Sequence, residues 1–173
     1  MTELDLRAFV RDVPDFPRPG ILFRDVTPLL ADAAALREAI CRLAEPFRDA
    51  RIERVVGVES RGFLLGAPVA LELGAGLAIA RKPGKLPRRT LSVSYELEYG
   101  SDRLEMHADA IEAGQRVLLV DDLVATGGTA AATLRLARQA GADVVGCAFL
   151  IELEALGGRA QLDAKQIHAV LRY

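Results

Sequence analysis

Two adjacent carboxylates, Asp121 and Asp122, close the apolar run Val117-Leu118-Leu119-Val120. Leu123 and Val124 follow, then the small, glycine-rich stretch Ala125-Thr126-Gly127-Gly128-Thr129 and a helical pattern. A buried strand, a small-residue turn and a helix in that order make an anion site. Small side chains let backbone N–H groups approach an anion closely. The helix that begins near Thr129 adds free N–H groups and its positive dipole end. The hydroxyls of Thr126 and Thr129 are further donors. Two carboxylates would repel a bare phosphate, but they suit a phosphate that carries a diol. Asp121 and Asp122 then accept from ribose hydroxyls, while Ala125, Thr126, Gly127, Gly128 and Thr129 hold the 5′-phosphate. The stretch has neither GxxxxGK[ST] nor GxGxxG, so a nucleoside-triphosphate loop and a dinucleotide fold are disfavoured. The bland alternative is a solvated turn with two surface acids. Thirteen residues in this order argue against it.

Other groups are candidates of the same kind. Glu59-Ser60-Arg61-Gly62 lies between a strand pattern and a helical one, which again places an anion site at a strand's carboxyl end. Arg61 offers a two-pronged donor there. Residues 81–89 hold Arg81, Lys82, Lys85, Arg88 and Arg89 and no acid. A charge run alone reads as a solvated face, but Pro83, Gly84 and Pro87 fix the shape of this one. Phe23, taken alone, reads as core packing. His107 and His168 have no acid or nucleophile beside them in sequence and read as surface or structural residues. Cys41 and Cys147 are far apart and outside any CxxC, so each reads as a small packing group. There is no GxSxG elbow and no HExxH helix.

The frame for these groups is legible as alternation. Thr2 opens a short amphipathic helix with Leu4, Leu6, Phe9, Val10 and Val13 as its apolar set and Asp5 placed to cap it. Residues 14–20 carry three prolines and form a rigid irregular segment, followed by a short strand near Ile21–Arg24. Asp32 caps a helix of about four turns through Leu36, Ile40, Leu43 and Phe47. Then come strand 54–58, helix 62–73, strand 77–80, strand 116–120, helix 129–140 and strand 144–151. This is the βαβ pattern of a parallel sheet, and its strands are apolar on both faces as covered strands must be. Thr90–Tyr99 and Arg103–His107 alternate and are polar. They read as a β-hairpin or flexible flap outside the parallel sheet and not as core.

The stretch around Asp121 resembles the phosphoribosyl-pyrophosphate motif of type I phosphoribosyltransferases. Four further segments resemble the adenine phosphoribosyltransferase family in particular: residues 16–28 (FPRPGILFRDVTP), 59–63 (ESRGF), 81–87 (RKPGKLP) and 94–100 (SYELEYG). The resemblance runs in order from about Phe16 to Leu153. It implies an α/β fold, a parallel sheet flanked by helices, with a small N-terminal hood over about 1–30 and a flexible β-hairpin flap over about 82–107. Residues 1–173 then form a single domain. It implies transfer of 5-phosphoribosyl from phosphoribosyl pyrophosphate to adenine N9, giving AMP and pyrophosphate, with Mg2+ as cofactor. By the same resemblance Leu22, Phe23 and Arg24 contact adenine, and Ser60, Arg61, Arg81, Lys82 and Lys85 bind pyrophosphate. Glu98 and Tyr99 in the flap are the catalytic candidates. Glu98 handles the proton or steadies charge on adenine's imidazole ring, and Tyr99 packs on the ribose or pyrophosphate. No residue is expected to hold magnesium directly; substrate oxygens carry it, with Asp121 and Asp122 reaching it through water. A homodimer is implied as well, the basic loop of one subunit reaching towards its partner's site.

Composition bounds these readings. The chain has 173 residues, 51% apolar and 27% charged, with 22 basic and 24 acidic residues. Taking away the five cations of 81–89 leaves 17 against 24, a formal −7. An acidic body with one basic loop excludes a broad nucleic-acid surface. With no Trp and 5% aromatics, broad base-stacking platforms are disfavoured too. No run approaches ~18 apolar residues, so no membrane span is expected, and the acidic N-terminus is unlike a signal peptide. A cytoplasmic protein is the expectation. Two rival readings remain. One is the same transfer to hypoxanthine or xanthine, against which the segments around Phe23 and residues 94–100 speak. The other is a regulator that keeps the pocket without catalysis; only about 15 residues precede the first motif, too few for an added DNA-binding module.

Overall fold

The computed structural model describes residues 4–96 and 101–173. In chain order its strands and α-helices are β1 (Arg11–Pro14), β2 (Leu22–Asp25), α1 (Thr27–Ala31), α2 (Ala33–Ala44), β3 (Arg54–Val58), α3 (Arg61–Glu72), β4 (Gly76–Ala80), β5 (Thr90–Glu96), β6 (Ser101–His107), β7 (Arg116–Val124), α4 (Gly128–Gln139), β8 (Asp143–Glu152) and β9 (Gln166–Arg172). Five strands form one parallel sheet in the order β4-β3-β7-β8-β9. The expected parallel sheet flanked by helices is therefore present. Its strand order reverses direction between β3 and β7, which is where open α/β sheets bind ligands beyond the carboxyl ends of their strands.

The two faces of the sheet are covered differently. Val55 of β3 and Leu118 and Val120 of β7 pack with α2 and α3 through Ile40, Leu43, Leu65 and Val69. On the other face Val56, Val58 and Leu119 pack with α4 through Leu134 and Leu136. The antiparallel hairpin β5–β6 shares that second face, with Val93, Tyr95, Leu104 and Met106 buried in the same cluster. This corrects the expectation that the hairpin is no part of the core. It is the link between β4 and β7, and it covers the face that a crossover helix would otherwise cover. Its alternation leaves one side apolar, and burying side chains of that size stabilises the fold by roughly 1.5–3 kcal/mol each.

Other boundaries also differ from the expectation. The N-terminal helix is a single 3-10 turn, Leu6–Phe9, with Asp5 accepting from the Arg7 N–H as the predicted cap. The chain then turns into β1, because pairing with β2 satisfies its backbone groups where Pro14 rules out helix. Asp32 does cap α2, accepting from the N–H groups of Ala34 and Ala35. The helix tightens into a 3-10 turn at Glu45–Ala50, since Pro46 cannot donate within a continuing helix, and so Phe47 leaves the regular spacing. The short α1 was not anticipated. β7 runs four residues past Val120, through both acids, because β8 pairs with it as far as Val124.

Candidate active site

Three strand ends converge at the point of reversal. Glu59-Ser60-Arg61 follows β3, Arg81-Lys82 follows β4, and the far end of β7 carries Asp121 and Asp122. Ser60, Arg61, Asp121, Asp122 and residues 125–129 line one cavity of about 370 Å3, together with Glu59. That volume suits a small ligand. Both α3 and α4 begin at this cavity, and neither has a side-chain cap on its first N–H groups. Two open helix N-termini facing one cleft make it doubly attractive to anions. The Glu59–Ser60 peptide bond is cis.

The loop between β7 and α4 is held from behind. Gly127 has φ 87°, the left-handed region that favours glycine. A Cβ there would sit 2.4 Å from the carbonyl oxygen of Gly158, and one on Gly158 would sit 2.2 Å from that of Ala125. The turn at Gly157-Gly158 is thus a tight backing for the loop between β7 and α4. It belongs to the C-terminal segment, which sequence reasoning left without a role. Thr126 is exposed at the loop's tip and Gly127 is buried beneath it.

The acids are not equivalent. Asp122 accepts from Arg61 Nε. Asp121 Oδ1 accepts from the Asp122 N–H at 2.9 Å and lies 2.7 Å from where a Cβ on Gly62 would stand, so α3 can approach β7 only with glycine at 62. Burial, with the Asp122 charge beside it, pushes the Asp121 carboxyl well above its ordinary range. Glu59 shows the opposite. Burial alone would raise it, but donation from Lys85, the Lys82 N–H and Arg81 prevails and holds it at about 2. Glu59 was not among the expected site residues. Its signal was its place directly after a buried strand beside Arg61, the same signal that marked Asp121.

The predicted pyrophosphate group is assembled, with each cation on a carboxylate. Arg61 pairs with Asp122, Arg81 and Lys85 with Glu59, and Lys82 with Asp102 of β6. The Arg61 guanidinium also lies 5.7 Å from the centre of the Phe23 ring, so β2 is brought against the cleft. Phe16 meets Phe23 edge to face at 5.1 Å. Leu22 is exposed, and the Arg24 side chain points elsewhere, pairing with Asp12 and stacking 4.1 Å over Tyr173. Glu98 and Tyr99 lie outside the described residues. Cys147 is buried, its thiol pushed up to about 12, as a packing group should be. Among the described residues no three His, Cys, Asp or Glu side chains are grouped to hold a metal, and no helix is long and apolar enough to cross a membrane.

The chain matches the family described as phosphoribosyl transferase domain over residues 29–170. It is 57% identical to the adenine phosphoribosyltransferase of Methylococcus capsulatus, covering 97% of this chain and 98% of that one. Its fold is similar to the crystal structure of adenine phosphoribosyltransferase from Rhodothermus marinus, with TM-score 0.93, 57% identity, and 97% and 96% of the two chains covered. It is also similar to the Saccharomyces cerevisiae adenine phosphoribosyltransferase solved with an imino-altritol bisphosphate and adenine, with TM-score 0.91, 41% identity and 96% of both chains covered. The chain belongs to the phosphoribosyl transferase family, on its adenine phosphoribosyltransferase branch.

Proposed function

We propose that this protein transfers the 5-phosphoribosyl group from phosphoribosyl pyrophosphate to N9 of adenine, giving AMP and pyrophosphate. The observation that carries the reading is one cleft with two uncapped helix N-termini, one beside a neutral loop and one beside Arg61, with Arg81 and Lys85 gathered on the adjoining Glu59. A ligand with a monophosphate at one end and a pyrophosphate at the other matches that arrangement, and the relatives' names supply the base. The 5′-phosphate takes residues 125–129, the ribose hydroxyls face Asp121 and Asp122, and the pyrophosphate meets Ser60, Arg61, Arg81, Lys82 and Lys85. Adenine stacks at Phe23, with the backbone of Leu22 and Arg24 reading its edge.

In the reaction the bond from ribose C1 to the pyrophosphate oxygen breaks, and its electron pair leaves with that oxygen. The cations around Glu59 exchange their carboxylate for the growing charge on the leaving group. The adenine N9 lone pair forms the new bond to C1, and the imidazole proton passes to Glu98. Tyr99 and the flap exclude water, which would otherwise attack C1. Magnesium fits this site as a substrate-held ion, since Asp121 and Asp122 line the cavity and offer carboxyl oxygens for it to contact through water. When bound it neutralises pyrophosphate charge. The exposed Leu64 and Leu71, one helical face of α3, with Leu77 on the edge strand β4, support the homodimer reading. The two free thiols are consistent with a cytoplasmic protein.

The decisive experiment offers the protein phosphoribosyl pyrophosphate with a mixture of adenine, hypoxanthine, xanthine and guanine. AMP should dominate the products. A different nucleotide, or none, overturns the reading.

A further inference from the structure

Tyr95 has a core ring and a hydroxyl that belongs elsewhere. The residue is 6% exposed and packs in the cluster between the sheet and α4. It stands on β5, directly across from Asp102 of β6. Its hydroxyl oxygen lies 3.3 Å from Asp102 Oδ2, 3.3 Å from Thr129 Oγ1 and 3.4 Å from Lys82 Nζ. Lys82 Nζ also donates directly to Asp102. The three partners come from three separate pieces of chain: the hairpin, the first turn of α4 and the basic segment after β4. A buried tyrosine needs one partner for its hydroxyl, and Asp102 alone would satisfy it. Contacts with Lys82 and Thr129 go beyond that need, and these two residues belong to the proposed pyrophosphate group and the proposed 5′-phosphate group respectively.

The donor arithmetic is specific. A lysine ammonium has three hydrogens, of which Asp102 and Tyr95 take two and leave one for an incoming oxygen. Thr129 has a single hydroxyl hydrogen, here given to Tyr95. The Tyr95 hydroxyl donates its own hydrogen to Asp102 and accepts from Lys82 and Thr129, so Thr129 can turn its hydrogen to a phosphate and leave Tyr95 satisfied. Phenylalanine has no such group.

We propose that Tyr95 is a positioning residue for phosphoribosyl pyrophosphate: with Asp102 it aims the Lys82 ammonium at the pyrophosphate end, and it holds the Thr129 hydroxyl in place beside the 5′-phosphate end. The hairpin, the basic segment and the phosphate loop are thereby set as one unit, three residues before Glu98. This inference rests on the function proposed above.

The test is Tyr95→Phe, which keeps the ring. The KM for phosphoribosyl pyrophosphate should rise about tenfold, and pyrophosphate binding measured by calorimetry should weaken by a similar factor. The KM for adenine should stay within twofold, and the Tm should move little. Equal changes for both substrates, or unchanged pyrophosphate binding, overturn the proposal. Lys82→Ala separates the layers. If it weakens pyrophosphate binding while Tyr95→Phe does not, the positioning role fails and the function stands. If Lys82→Ala has no effect on pyrophosphate binding, the role of Tyr95 through Lys82 fails. In the double variant, Tyr95→Phe should add much less than in the parent; full additivity also rejects the coupling. Failure of the function itself would show separately, as no AMP from the unmodified protein.

Discussion

The two sides of the cleft prepare for an anion in opposite ways. The loop at Ala125–Thr129 is neutral backbone, held in one shape by the glycine contact behind it and by the strand and helix that flank it. The side formed by Arg61, Arg81, Lys82 and Lys85 is charged, and each cation is already neutralised by an acid. A rigid neutral cradle needs little reorganisation to bind, so it suits the end of a substrate that stays put. Paired cations must exchange partners, so their attraction grows only where new negative charge exceeds that of the resident carboxylates. This suits the leaving pyrophosphate, whose charge increases as its bond breaks.

If that contrast holds, perturbing the cradle should do most harm. Gly127→Ala forces a side chain into the left-handed region and against Gly158. We expect a loss of about 2–4 kcal/mol in stability by thermal or denaturant unfolding, and at least a hundredfold fall in kcat/KM. Near-normal values would show that the loop is pliant. Arg61→Ala removes one paired cation and leaves Asp122 without it. We expect a fall of roughly tenfold to a hundredfold in kcat/KM, about 1.4–2.7 kcal/mol of transition-state binding, with Arg61→Lys recovering only part because the fork is lost.

Glu59→Gln tests the exchange itself. Its folded-state value of about 2 lies below the ordinary 4.5, so the carboxylate stabilises the fold above about pH 4.5 and that contribution is lost as pH falls through about 2. The unmodified protein should therefore lose stability across that window in acid titrations followed by circular dichroism, and the variant should show a shallower fall. At neutral pH the variant should bind pyrophosphate several-fold differently, since Arg81 and Lys85 lose their shared carboxylate. The smallest effect is expected at Asp121. Its raised value means that ionisation costs stability as pH rises through it. Asp121→Asn should raise the Tm by a few degrees at pH 7 while lowering activity, and a lowered Tm would show that the charge is needed for folding.

Much of this architecture could be read from the chain alone. β3 was bounded correctly because the run Val55–Val58 has no polar side chain and lies between Arg54 and Glu59, and the βαβ order followed from the switch between two periodicities. The sequence marks residues 125–129, Arg61 and the basic segment as candidates because anion binding demands small residues and cations at strand ends, and the structure brings these segments together. Lys82 and Tyr95 are thirteen residues apart and Tyr95 and Thr129 thirty-four, yet their polar groups meet. Gly158 backs a loop thirty-one residues upstream of it, and Glu59 gathers cations twenty-two and twenty-six residues away. Contacts of that kind depend on which faces of the sheet the connections cross. The chain by itself determined the chemistry that its strand ends can offer. Only the tertiary structure decided which carboxylate neutralises which cation, and that a hairpin read as a flap outside the sheet buries the Tyr95 ring in the core while the hydroxyl of that ring meets Lys82 and Thr129.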